Sequence, residues 1–187
     1  AGIIDKTGKF VMDTGTNRTR RDSDGKPEYV LAWAEETSIN ADITVTQADV
    51  RALQLAKGAL YTGAKLMMKK MGYETLDRVE LAGAFGSHID REASLTLGMF
   101  PDVPIDRVVV VGNAAGDGAR MALLNKAKRE EADYRARWVE FLEIATDPTF
   151  EKEFMQAMHI PHMKDKFPNL GKMLEEQKAP AAESVKG

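Results

Sequence analysis

Two short glycine-rich segments carry the strongest chemical signal in the sequence. They are Gly83-Ala84-Phe85-Gly86 and Gly112-Asn113-Ala114-Ala115-Gly116-Asp117-Gly118. Each follows an apolar run and leads into a helical pattern. Backbone N–H groups at a helix start carry partial positive charge and suit phosphate oxygens. Glycine lets the backbone approach a ligand closely and adopt positive φ. Asn113 and Asp117 add side chains able to bond a nucleotide's sugar, its phosphates or a metal-bound water. A structural reading fits the same residues: tight turns that let a helix pack on a sheet. Spacing alone leaves both open, because neither segment is a G-x-x-x-x-G-K-[ST] loop or a complete G-x-G-x-x-G.

Other reactive residue types are weaker signals. Lys57 sits mid-helix, where an apolar stripe nearly includes it. Its stem either snorkels along apolar surface or carries the ammonium to a phosphate. Asp13-Thr14-Gly15-Thr16 reads as a polar hairpin loop, a phosphate loop, or half of an aspartic-protease site. The last needs a second D-T-G beside it, and none occurs. Ser87, His88 and Asp90 resemble hydrolase material, but a triad is assembled in space rather than along a chain. No G-x-S-x-G elbow is present. His159 and His162 are a lone pair without an obvious third metal ligand, and Pro161 between them reads as a chain exit. Met67, Met68 and Met71 read as gap-filling core.

These residues need elements to position them. Ile3, Ile4, Phe10 and Val11 flank a Lys6–Lys9 turn, and Tyr29–Trp33 is a second short apolar run. Together they predict β structure up to residue 34, with Asp13–Lys26 a polar loop. Asp42–Thr46 is an extended entry into a helix. Thr46 and Asp49 are spaced as a capping box, and Val50, Leu53, Ala56, Leu60, Ala64 and Met67 recur at spacings of three and four. The helix is predicted over Gln47–Lys70, stopping at Gly72. Arg78–Ala82 and Arg107–Val111 read as strands, the second a β-branched run expected to be buried on both faces. Strand, glycine loop and helix, twice over, predict an α/β fold with a parallel component. Helices are predicted over Ala114–Leu124 and Lys126–Arg137. Val139–Ile144 alternates as a strand, and a further helix starts at Asp147-Pro148. Lys164–Gly187 reads as a loose tail.

Composition bounds the rest. The chain has 187 residues, 43% hydrophobic and 29% charged, with a formal net charge of −3. That balance argues against a dedicated nucleic-acid binder. No long apolar run fits a membrane span, and no secretory leader is apparent, so a cytoplasmic location is expected. Cys is absent, which excludes a disulfide scaffold, a thiol nucleophile and a Cys-ligated cluster within these residues. The chain begins with Ala and reads as part of a longer polypeptide.

Four stretches carry a family resemblance: Val45-Thr-Gln-Ala-Asp-Val-Arg-Ala-Leu-Gln-Leu-Ala-Lys57-Gly58-Ala-Leu, Glu80-Leu-Ala-Gly-Ala-Phe-Gly-Ser-His-Ile-Asp90, Val111-Gly-Asn-Ala-Ala-Gly-Asp-Gly-Ala119 and Ala145-Thr-Asp-Pro-Thr-Phe150. In this order they resemble the C-terminal region of the ATP-dependent reductive activators of corrinoid proteins, from Ala1 to His162. The resemblance implies an actin-like, ribonuclease-H-like ATPase lobe with a mixed sheet flanked by helices and an N-terminal β-hairpin. Residues 1–163 would form the lobe (1–34 the hairpin region, 42–163 the α/β core), with 164–187 a flexible tail. A ferredoxin-like [2Fe–2S] domain and the first ATPase lobe would lie upstream. The whole protein would couple ATP, with Mg²⁺, to reduction of Co(II) corrinoid to Co(I) on a methyl-transfer partner protein. By the same resemblance Gly83, Ala84, Phe85 and Gly86 form the adenosine-side loop. Gly112, Asn113, Gly116 and Asp117 lie in a second connecting segment near the lobe hinge, and the Asp13 loop falls in a variable hairpin. A homodimer is suggested only by family analogy. The lobe alone should bind nucleotide weakly and catalyse nothing. The rival readings are a non-catalytic docking module for a corrinoid protein, and a lobe of another kinase or dehydratase activator on the same fold.

Overall fold

A computed structural model describes residues 2–183. The N-terminal segment turns back on itself at residues 5–9, where the Asp5 carboxylate accepts from the Thr7 and Lys9 amides. Ile4 then bridges Phe10 antiparallel. Three strands follow: β1 (Thr19–Arg21), β2 (Pro27–Ala32) and β3 (Ile43–Thr46), an antiparallel sheet in that order. The polar stretch read as one loop therefore contains a strand. Its Thr19-Arg20-Arg21 lacks an apolar signal, and the pairing is held instead by Arg20, which bonds Glu28 on β2 at 2.7 Å and Asp42 at 2.7 Å.

Thr46 and Asp49 close the predicted capping box and open α1 (Gln47–Met71). Gly72 ends it in the left-handed conformation at φ +74°, as a helix C-terminus favours. The outer face of α1 is wetter than the sequence suggested: Met67 and Met71 are 48% and 66% exposed. Only Met68, of these three, lines the large cavity described below.

β4 (Val79–Ala82) and β5 (Val108–Gly112) pair in parallel. Between them lie α2 (Gly83–His88) and α3 (Arg91–Leu97). The Val108–Val111 run is not buried on both faces. Val108 is fully buried, but Val109 and Val110 are 39% and 41% exposed, because this sheet is only two strands wide among the described residues. After β5 come α4 (Ala114–Leu124) and α5 (Lys126–Trp138), joined through Asn125, which caps α5. Residues 139–143 form no strand, and Ile144–Thr146 is a 3-10 turn. The alternating pattern there finds no neighbouring strand to pair with. Next, α6 (Phe150–Ala157) packs on α1, where Phe154 and the following Met158 lie within van der Waals reach of a Cβ placed on Gly58.

The expected loose tail contains α7 (Pro168–Glu183). Its start is held by Asp102, whose carboxylate accepts from the Asn169 and Leu170 amides at 2.9 and 3.1 Å. Leu170 and Met173 join Leu95, Met99, Phe100, Val103 and Val108 in the main core. Few apolar residues, well spaced along a charged helix, were enough to dock it. Residues 184–187 lie outside the described chain.

Candidate functional site

The parallel register sets Ala82 opposite Gly112. The two glycine loops therefore leave their strands side by side, at the carboxyl ends, where open α/β sheets bind ligands. Gly83 has φ +82° and Gly112 has φ +66°, a region that costs a residue with a Cβ. Neither has an atom within 4 Å of the place a Cβ would occupy, so both approach faces are open. Gly86 is glycine for packing instead: a Cβ there would lie 2.7 Å from the Leu81 carbonyl carbon. Phe85 stands between them, 69% exposed, over an apolar groove of about 230 Å³ shared with Leu60, Val79, Leu81, Ile89 and Phe100. Ala84 is exposed beside it.

On the β5 side, Asn113 caps α4: its Oδ1 accepts from the Gly116 amide at 3.0 Å. A Cβ on Gly116 would meet the Asn113 amide nitrogen at 2.5 Å. Asn113 and Gly116 are thus one device, a side chain folded over a bare backbone. Asp117 is exposed and pairs with Arg120 at 3.2 Å.

The other sequence candidates fall elsewhere. Lys57 is fully buried, and its ammonium donates to the carbonyls of His159 (2.5 Å), Pro161 (2.6 Å) and Gly98 (3.4 Å). Burial pushes its pKa down to about 8. A phosphate contact is thereby corrected to an internal tie: all three N–H donors are spent on backbone. Ser87 Oγ donates to the Gly83 carbonyl at 2.9 Å, and Asp90 caps α3 through the Ala93 amide at 2.7 Å. Neither is arranged around His88. The Asp13 loop is internal to the antiparallel region, where Thr14 bonds Thr19 and Thr16 accepts from the Arg18 amide.

His162 has its Nδ1 occupied by the Lys164 and Asp165 amides at 3.2 and 2.8 Å. Burial lowers its pKa to about 4, so the ring is neutral. Among the described residues no three acidic, His or Cys side chains cluster as a metal site.

Sequence motifs missed a cavity of about 720 Å³ beside the C-terminal half of α1. Tyr61 donates to Asp165 at 2.7 Å, and Lys65 lies 2.6 Å from Asp165 and 2.7 Å from Glu153. Burial works against the Lys65 charge, but the bonds to Asp165 and Glu153 outweigh it and its pKa is raised. The polar groups here are largely spent on one another, so this cavity is a weaker site candidate than the glycine loops despite its size. Its residues come from α1 and the segment just after it, from Pro101 and Asp102, from α6 and from the start of α7 with its approach, which no local spacing could connect.

The family described as the C-terminal domain of RACo, the ASKHA domain, matches residues 1–171. The corrinoid activation enzyme RamQ of Eubacterium limosum is 35% identical over 162 residues, covering 82% of this chain and 27% of that protein. A solved reductive activator for corrinoid, iron-sulfur protein is similar with TM-score 0.77 and 38% identity, covering 88% of this chain and 26% of that one. The chain spans about a quarter of the length of these relatives.

Proposed function

The chain belongs to the family of the C-terminal ASKHA domain of RACo, and from that premise we propose that it is the C-terminal ATP-binding lobe of a corrinoid-protein reductive activator. In this reading residues 1–163 are lobe, and α7 seals the core behind the strands. The observation that carries the nucleotide assignment is the adjacency of Gly83 and Gly112, both with open faces, at the carboxyl ends of β4 and β5.

The residues present fit a nucleotide. Gly83 and Ala84 offer bare backbone, and Phe85 with its apolar groove suits the ring of a base. Gly112, Asn113, Gly116 and Asp117 line the other side. The fixed Asn113 cap keeps the α4 start rigid, so ligand approach there does not require reordering it. ATP supplies the phosphoanhydride whose binding and hydrolysis favour one conformation over another. Mg²⁺ would be held by phosphates and water, and Asp117 is the one carboxylate the Gly112–Gly118 loop could offer to that water. An iron–sulfur cluster does not fit this chain, which has no Cys. It belongs to an upstream domain of the longer polypeptide, as does the first ATPase lobe. The partner is a corrinoid protein, whose Co(II) centre accepts the electron and becomes Co(I).

The test uses the full-length polypeptide with a reduced cluster and a Co(II) corrinoid protein. Co(I) absorbance is followed with ATP, with ADP and without nucleotide. Accumulation only with ATP is expected. Equal reduction without nucleotide would leave the glycine loops structural and favour the docking module.

A further inference from the structure

The apolar groove under Phe85 is lined from three separate parts of the chain: the β4–α2 segment, Leu60 of α1, and Met99 with Phe100. Its width depends on how those parts are held to one another. Among the described residues, one side-chain hydrogen bond joins α1 to any residue from 79 to 100. It runs from the Lys57 ammonium to the Gly98 carbonyl, at 3.4 Å. Lys57 lies about one turn before Leu60 on the same helix, and Gly98 immediately precedes Met99. The bond therefore joins two of the three linings close to the groove itself.

The same ammonium also holds the seat on which Gly98 rests. The Pro161 carbonyl accepts from Lys57 at 2.6 Å, and that carbonyl presses on Gly98, where a Cβ would come within 2.3 Å of its oxygen. The His159 carbonyl, bonded at 2.5 Å, fixes the other end of that turn. Gly98 closes α3 in the left-handed conformation, and the Met99 amide donates to the Ser94 carbonyl at 3.0 Å, so Met99 is carried by the end of α3. An ammonium offers three donors from a single point. Burying a charge is unfavourable, so what Lys57 contributes over an apolar residue of similar size is direction.

We propose that Lys57 is a positioning residue for base selection: through Gly98 and the Pro161 carbonyl it holds Met99 and Phe100 relative to Leu60 at the spacing that a purine ring fills. Lys57 itself touches no part of the nucleotide. The assignment rests on the reading that this groove takes the base of ATP.

Calorimetry of the full-length polypeptide with ATP and with CTP tests this. The two ligands share ribose and triphosphate, so the ratio of their dissociation constants isolates the groove. Misfolded molecules lower the binding stoichiometry and leave that ratio alone. Wild type is expected to favour ATP at least about tenfold, and Lys57→Met to remove most of that preference. Gly98→Ala, which displaces the other end of the tie, is expected to do the same. Gln54→Met is the control. Gln54 is buried one turn earlier on α1 and bonds the Thr7 and Met158 carbonyls at 3.1 and 2.6 Å, so its loss loosens the same helix face and should keep the preference. A wild-type ratio in Lys57→Met, or in Gly98→Ala, would overturn the positioning role. So would an equal fall in Gln54→Met, the mark of general loosening. Wild type that binds ATP and CTP alike, or neither, would overturn the base-groove reading itself, and the proposal with it.

Discussion

Replacing Lys57 by methionine removes a charge from the interior and also unties three carbonyls. The two effects oppose each other. The ammonium is fully buried, and its pKa of about 8 against an ordinary 10.5 corresponds to about 3 kcal/mol of penalty on the charged form at neutral pH. A methionine side chain does not bear that penalty. Against it, the His159 and Pro161 carbonyls, bonded at 2.5 and 2.6 Å, lose their donor, at about 1–3 kcal/mol each. At pH 7 Lys57→Met is therefore expected to fall between about 1 kcal/mol of stabilisation and about 3 kcal/mol of destabilisation.

The pH dependence is sharper. Between pH 8 and 10.5 the folded wild type releases the Lys57 proton while the unfolded chain keeps it, so wild-type stability rises with pH. The variant has no proton to release at this position. The stability difference, wild type minus variant, should grow by about 2–3 kcal/mol from about pH 7.5 to about pH 10. Tyr61, whose pKa is raised by burial and by its bond to Asp165, opposes folding at the alkaline end equally in both proteins and cancels. Urea denaturation followed by Trp fluorescence at four pH values measures the difference. Parallel profiles would refute the buried, internally tied ammonium.

Leu170→Ala, at a site 5% exposed in the core, should cost about 2–4 kcal/mol; a loss near zero in urea denaturation would return residues 168–177 to a loose tail. Gly98→Ala should cost at least about 2 kcal/mol, because Gly98 sits at φ +70° and a Cβ would collide with the Pro161 carbonyl; unchanged thermal stability would contradict that packing. His162 has its pKa depressed by burial from 6.5 to about 4, so its contribution is complete above pH 6.5 and is lost as pH falls through about 4. An NMR titration should keep its ring neutral at about pH 5.5, and a charged ring there would overturn the burial argument.

Much of the architecture was readable because its signals are local. The Thr46–Asp49 box, the stripe of α1 and Gly72 lie within one helix and set its two ends. The two glycine loops announce themselves by type and by the strands before them, and the register then brings them together. What was not readable depends on distant partners. β1 pairs through Arg20 with residues 8 and 22 positions on. The alternation at Val139–Ile144 had no strand to meet. Lys57 looked amphipathic because its carbonyl partners at 98, 159 and 161 leave no trace in residue type. α7 docks through Leu170, Met173 and the Asp102 cap, spread over some 70 residues.

The most direct measurement of the central claim is ATP affinity of the full-length polypeptide by calorimetry, wild type against Gly83→Val. Valine at φ +82° is strained and fills an open approach face, so affinity is expected to fall at least about tenfold, or about 1.4 kcal/mol, while the visible spectrum of the cluster stays unchanged. An unaltered affinity with a folded variant would remove the Gly83 loop from the nucleotide site and contradict the account.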